Sequence, residues 1–206
     1  MARDREETKA RILAAVGKLL AESGFKQLGV NAIAREAGVD KVLIYRYFEN
    51  LPTLLQTFGK EGNYWLTVEE LVGDELTTEA ESLNEWMNLL LIRFLQDLQQ
   101  RSITQEILRW ELLEGNELTQ ELAQVRDRMA IESLKFLNQK CPFPPNKDIP
   151  AISAVLIAGI VYLVLRTKVS PTFLGIDFSS PIGWQRIEAA ISSLVQATAQ
   201  SDECTR

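Results

Sequence analysis

The sequence predicts an all-α protein, with an N-terminal three-helix unit containing a helix-turn-helix and a larger helical body after it. Three observations predict this. Apolar residues recur at three- and four-residue spacing through nearly the whole chain. Proline and glycine gather in a few short stretches that punctuate long helical patterns. Two short helical patterns near the N-terminus are joined at Gly38 by a tight turn. The 206 residues suffice for one large domain or two small ones with a real core.

The elements follow in order. A first helix spans about 4–23, with Ile12, Val16, Leu19 and Leu20 on one side and Asp4 with Glu7 as a variant capping box. The next covers 30–37, where Val30, Ile33, Ala34 and Ala37 form an apolar face whose small alanines let a neighbour cross closely. Gly38 stands where a helix ends and positive φ is wanted, Val39 plugs the turn, and Asp40 is a suitable N-cap. A helix over 41–48 turns Ile44 and Phe48 inward and Lys41, Val42, Tyr45, Arg46 and Tyr47 outward. A longer helix over 51–72 carries Pro52 in its first turn, where a missing amide costs little, and bends at Gly59 and Gly62. Further helices are expected over 81–99, 102–113 and 117–138. Pro142, Pro144, Pro145 and Pro150 mark a loop.

The stretch 149–168 is apolar on every side for about fifteen residues, between Pro150 and Arg166. A bilayer needs roughly 20, so no membrane span is expected. Such a helix must be covered all round, by its own core on one side and by a second copy of the chain on the other. Ala154, Ala158 and Gly159 permit close approach. A second loop holds Pro171, Gly175 and Pro181, and a last helix over 182–200 repeats Trp184, Ile187, Ile191, Leu194 and Thr198. Two C-terminal helices per subunit predict a four-helix homodimer interface through Ile152, Val155, Gly159, Leu163, Trp184, Ile187, Ile191 and Leu194.

Charge is uneven. The chain carries a net −6, yet residues 1–50 hold nine Lys or Arg against seven Asp or Glu, leaving the remainder at −8. A slightly basic head on an acidic body fits one DNA-facing domain, 1–50, and a regulatory and dimerisation domain, 51–206. The outward face of residues 41–48 suits a duplex. Lys41 and Arg46 can meet phosphates or guanine edges, tyrosine hydroxyls can donate to phosphate, and Val42 can touch a thymine methyl. The backbone amide of Gly29, at a helix start, can bind an anion.

The order Gly24-Phe25, Ile33-Ala34-x-x-Ala37-Gly38-Val39, Tyr45-x-Tyr47-Phe48 and Leu54-Leu55 resembles the N-terminal domain of the tetracycline-repressor (TetR) family. The similarity covers about Arg5 to Leu55. It implies a DNA-binding transcriptional regulator, a repressor released from a palindromic operator when a small molecule binds the helical body. The chain departs from the family pattern at Leu28-Gly29, where Thr-Thr is usual, at Asp40 and Leu43, where Ser and Thr are usual, and at Leu51-Pro52, where Lys-Glu is usual. Fewer side-chain phosphate anchors are therefore expected. A helical ligand-binding or protein-interaction module with weakened operator binding is the alternative.

For the ligand, the middle helices offer Trp86, Leu90, Arg93, Phe94, Trp110 and Met129, with Trp65 and Tyr162 as further candidates. Arg93 interrupts an apolar stretch and calls for an anionic partner, either Glu111 or Glu114 or a ligand group. The chain has no histidine, no nucleophile motif and no Gly-rich phosphate loop, so it is expected to be no enzyme and to use no cofactor or metal. Cys141 and Cys204 have no pairing or metal spacing. With no apolar leader at the start, a cytoplasmic location is expected.

Overall fold

The computed structural model describes residues 2–61, 64–72, 80 and 82–200. In chain order these form α1 (Ala2–Ser23), a 3-10 turn (Phe25–Gln27), α2 (Val30–Ala37), α3 (Lys41–Phe48), α4 (Leu51–Glu61), α5 (Val68–Val72), α6 (Leu83–Gln100), α7 (Ser102–Leu113), α8 (Glu117–Lys140), α9 (Ile149–Arg166), β1 (Thr172–Phe173), β2 (Ile176–Asp177) and α10 (Pro181–Gln200). The fold is all-α apart from the small antiparallel hairpin, whose register pairs Thr172 with Asp177 and Phe173 with Ile176.

The chain packs as two compact units. One is Met1–Leu66 with Arg101–Ala130; the other is Thr67–Gln100 with Ile131–Arg206. In the first, α1 packs against α2, α4 and α7. Ile12, Val16, Leu20, Ile33, Ile44, Leu54, Leu55 and Ile107 are all removed from solvent there. This unit runs past the expected boundary at residue 50. In it α4 packs on α1 and α3, and α7 packs on α1. In the second unit α6 is the hub, and α5, α9 and α10 all pack on it.

Several elements differ from expectation. The helix foreseen over 51–72 is broken: α4 stops at Glu61 and α5 starts at Val68, with Tyr64, Trp65 and Leu66 buried between them. Gly59 lies within α4 at a close crossing, since a Cβ there would sit 3.1 Å from Val125 Cβ. Gly62 lies outside the described residues. Because α1 begins at Ala2, Asp4 is inside its first turn; its carbonyl accepts the Thr8 hydroxyl at 2.8 Å, so it is no capping box. The hairpin was not foreseen. Its two-residue turn, Leu174-Gly175, has φ of 49° and 74°, the left-handed pair that matches strand twist.

The apolar helix α9 also needs a correction. It is 18 residues long with mean hydropathy 2.2, long and apolar enough to cross a bilayer by length and composition. Only one stripe, Ile149, Ser153, Ile160 and Val164, is buried within the unit. Ala154, Val155, Ala158, Gly159 and Tyr162 are exposed, Val155 at 73%, whereas Ile152, Leu156, Ile157, Val161, Leu163 and Leu165 are half-buried.

Candidate nucleic-acid interface

The second short helix is built by local signals. Gly38 closes α2 in the left-handed conformation (φ 65°, ψ 39°), its amide donating to the Ala34 and Arg35 carbonyls. Asp40, extended at φ −71° and ψ 137°, accepts the Val42 amide at 2.8 Å and so caps α3. Ile44 and Phe48 are buried against α2 and α4, with Ala34 and Ala37 also buried on the facing helix. The opposite side is open. Lys41 and Arg46 are exposed, Val42 is 54% and Tyr45 52% exposed. Tyr47 is half-buried: its ring meets Phe48 edge-on, and the Arg5 guanidinium lies 5.4 Å from its centroid. A half-buried Gly29 begins α2 in extended backbone, with open space where a side chain would stand.

Two features here were not read from the sequence. Leu28 is buried, so its departure from the family pattern fills the core instead of merely removing a polar contact. The end of α3 is a γ-turn: the Asn50 amide donates to the Phe48 carbonyl at 2.7 Å around Glu49, held at φ 64° and ψ −52°. Asn50 then caps α4, its Oδ1 accepting the Thr53 amide at 2.8 Å. Asn after Glu was the available signal for that cap.

An exposed cationic and aromatic face on a capped helix, held by a preceding short helix across a left-handed glycine, is the geometry of a DNA-reading helix-turn-helix. Residues 12–57 match the family model of bacterial regulatory proteins, tetR family. The family likeness is carried by this N-terminal region, 46 of the 206 residues. Solved structures share this fold over nearly the full length. A transcriptional regulator FadR from Bacillus subtilis, in complex with stearoyl-CoA, is similar at 21% identity and TM-score 0.64, over 90% of this chain and 96% of that one. The fatty acid degradation regulator FadR from Bacillus halodurans is similar at 20% identity and TM-score 0.63, over 91% and 94%. A TetR-family transcriptional regulator from Haemophilus influenzae RD is similar at 18% identity and TM-score 0.63, over 94% and 97%. No curated protein matches the sequence.

The expected ligand residues are divided between the two units. Trp86, Leu90, Arg93 and Phe94 lie on α6 in the second unit, whereas Trp110 and Met129 belong to the first. Trp86 and Phe94 are buried, Trp86 edge-on to Phe136. Arg93 donates to the carbonyls of Leu71 and Val72 at the end of α5, the nearer contact being to Val72. Glu111 instead pairs with Arg126 and accepts from the Tyr64 hydroxyl at 3.4 Å. Glu114 takes two backbone amides, those of Phe25 and Lys26. Trp110 packs on Gly24 and donates to the Ala21 carbonyl at 3.3 Å. A cleft of about 130 Å³ in the second unit is lined by Ser82, Leu83, Asn84, Pro144, Lys147, Ile149 and Thr198, none of them an expected ligand residue.

Of the residues expected at a dimer interface, Val155, Gly159 and Leu194 are exposed, and Ile152, Leu163, Trp184 and Ile187 are half-buried. Ile191 is a correction: it is 5% exposed, packed in the core of its own unit. Trp184 is partly committed, its ring packed at a tilt against Phe178 and its indole N–H donating to the Phe178 carbonyl at 3.0 Å. Tyr162 is 52% exposed, an outward group on α9.

Proposed function

We propose that this chain is a homodimeric transcriptional repressor that reads a palindromic operator through α3 and leaves it when a small molecule binds the helical body. Residues 1–50 supply the DNA contacts, and 51–206 supply regulation and dimerisation. The observation that carries this reading is the split face of α3: Ile44 and Phe48 sealed inside, with Lys41, Val42, Tyr45 and Arg46 exposed together. Lys41 and Arg46 provide charge for phosphates or guanine edges, Tyr45 a hydroxyl, Val42 an apolar contact, and Gly29 a backbone amide. Tyr47, propped between Phe48 and Arg5, stands at the margin of that face.

The uncovered apolar surface of α9, with Val155, Gly159 and Tyr162 in solvent, supports pairing with a second copy, joined by Leu194 of α10. Two α3 helices would then read half-sites about 34–36 Å apart or at a related spacing. The B. subtilis regulator bound to stearoyl-CoA supports an acyl-chain ligand for the body, with the apolar α6 residues Trp86, Leu90 and Phe94 as its lining.

The test is selection of bound duplex from a random pool, followed by titration of the complex with long-chain acyl-CoA. The expected result is a palindromic duplex, released by the acyl-CoA. Coupling is reciprocal, so the duplex must weaken acyl-CoA binding by the same factor. Enrichment of no sequence would remove the operator; acyl-CoA binding indifferent to duplex would remove that ligand as the effector.

A further inference from the structure

We infer that Glu114, far along the chain from the reading helix α3, is a positioning residue for operator binding: its carboxylate holds the turn that launches α2 and α3. The inference rests on the operator reading above. The 3-10 turn Phe25–Gln27 starts at Gly24, which supplies no side-chain cap. Its first amides would be left without acceptors. Glu114, only 6% exposed at the end of α7, accepts both, from Phe25 at 2.9 Å and from Lys26 at 3.0 Å.

The same helix end grips the other side of the turn. The Trp110 indole N–H donates to the carbonyl of Ala21, in the last turn of α1. Gly24 between them has φ 71°, and a Cβ there would lie 2.9 Å from the Trp110 ring and 3.0 Å from Glu114 Oε1. So α7 holds the exit of α1 and the entry of the 3-10 turn together. Only Leu28 and Gly29 separate that turn from α2.

Removing the carboxylate leaves two amides, one of them buried, with no acceptor. The turn can recover hydrogen bonds by opening toward water, and that movement passes directly into α2 and α3. Glu111, one turn earlier on α7, provides a built-in contrast. It is bound to Arg126 and Tyr64 and makes no hydrogen bond to the turn. Both carboxylates stand at the C-terminal end of α7; only Glu114 reaches the turn.

The experiment uses the full chain and the duplex enriched by the parent protein. Glu114→Ala is expected to weaken binding about tenfold or more, the equivalent of losing one charge-assisted hydrogen bond. Glu114→Gln retains a carbonyl oxygen facing both amides and is expected to stay within about threefold of the parent. Glu111→Gln, assayed well below its melting temperature, is expected to bind within about threefold of the parent. The slope of log affinity against log salt stays that of the parent in every variant, since no phosphate contact is removed. Glu114→Ala binding like the parent, Glu111→Gln weakening binding as much, or an altered salt slope would each overturn the positioning role. A parent that enriches no duplex would overturn the operator reading, and the role of Glu114 with it.

Discussion

Asp40 has two opposed effects in the proposed complex, and substitution separates them. Its Oδ1 accepts the Val42 amide and caps α3, while its exposed negative charge stands at the helix start that faces the duplex. Serine is an equal cap without the charge, so Asp40→Ser should leave stability within about 0.5 kcal/mol of the parent. Alanine removes the cap, at about 1 kcal/mol, or about 2–4 °C in melting temperature for a chain of this size. The charge can be gauged separately. A carboxylate about 6 Å from a phosphate in a water-like dielectric is repelled by about 0.7 kcal/mol, roughly threefold in affinity. Salt screens this over about 8 Å at physiological strength. Both variants should therefore bind the selected duplex about threefold more tightly at low salt, with the gain fading as salt rises, and only the alanine variant should melt early. Anisotropy titrations across a salt series and thermal denaturation measure the two. If Asp40→Ser binds no more tightly at low salt, the start of α3 does not face phosphates and the docking geometry is wrong.

Three further outcomes are expected. Glu49→Gly relieves the positive φ of the γ-turn and should stabilise the protein by about 1 kcal/mol, read by denaturant titration; a loss would mean that the turn is not strained. Burial pushes the Glu111 carboxyl above its ordinary value, against the opposing pull of Arg126. Its ionisation thus opposes folding: its contribution is most favourable below the ordinary carboxylate range and falls as pH rises through the raised folded value. Glu111→Gln, which mimics the neutral form, should erase that dependence; an unchanged pH profile of stability would refute this. Val155→Asp, on the open side of α9, should convert the dimer to a monomer in sedimentation velocity, and a parent that stays monomeric or needs detergent to stay in solution would refute the interface.

The helix-turn-helix was legible because its determinants are local. Gly38, Asp40 and the spacing of Ile44 and Phe48 each act within one or two turns, and the structure has each in the expected conformation or burial class. What escaped depends on distant partners. Two acceptors of Arg93 are backbone carbonyls of α5, which no residue identity reveals. Glu114 and Trp110 read as members of an acidic, aromatic helix, and only the packing of α7 on α1 gives them the turn as partner. Gly59 reads as a helix weakness, yet its missing side chain is what lets Val125 approach. Ile191 and Leu194 are indistinguishable by spacing alone; in α10, which packs on α6, the first is 5% exposed and the second 56%.

The most direct measurement is the affinity of full-length parent, Tyr45→Ala and Arg46→Ala for the duplex that the parent selects. Both side chains stand on the open face of α3, so neither substitution should disturb the fold, and both should weaken salt-sensitive binding, by about tenfold for Arg46 if it reads a guanine edge. If both variants bind as the parent does, the open face of α3 does not touch DNA.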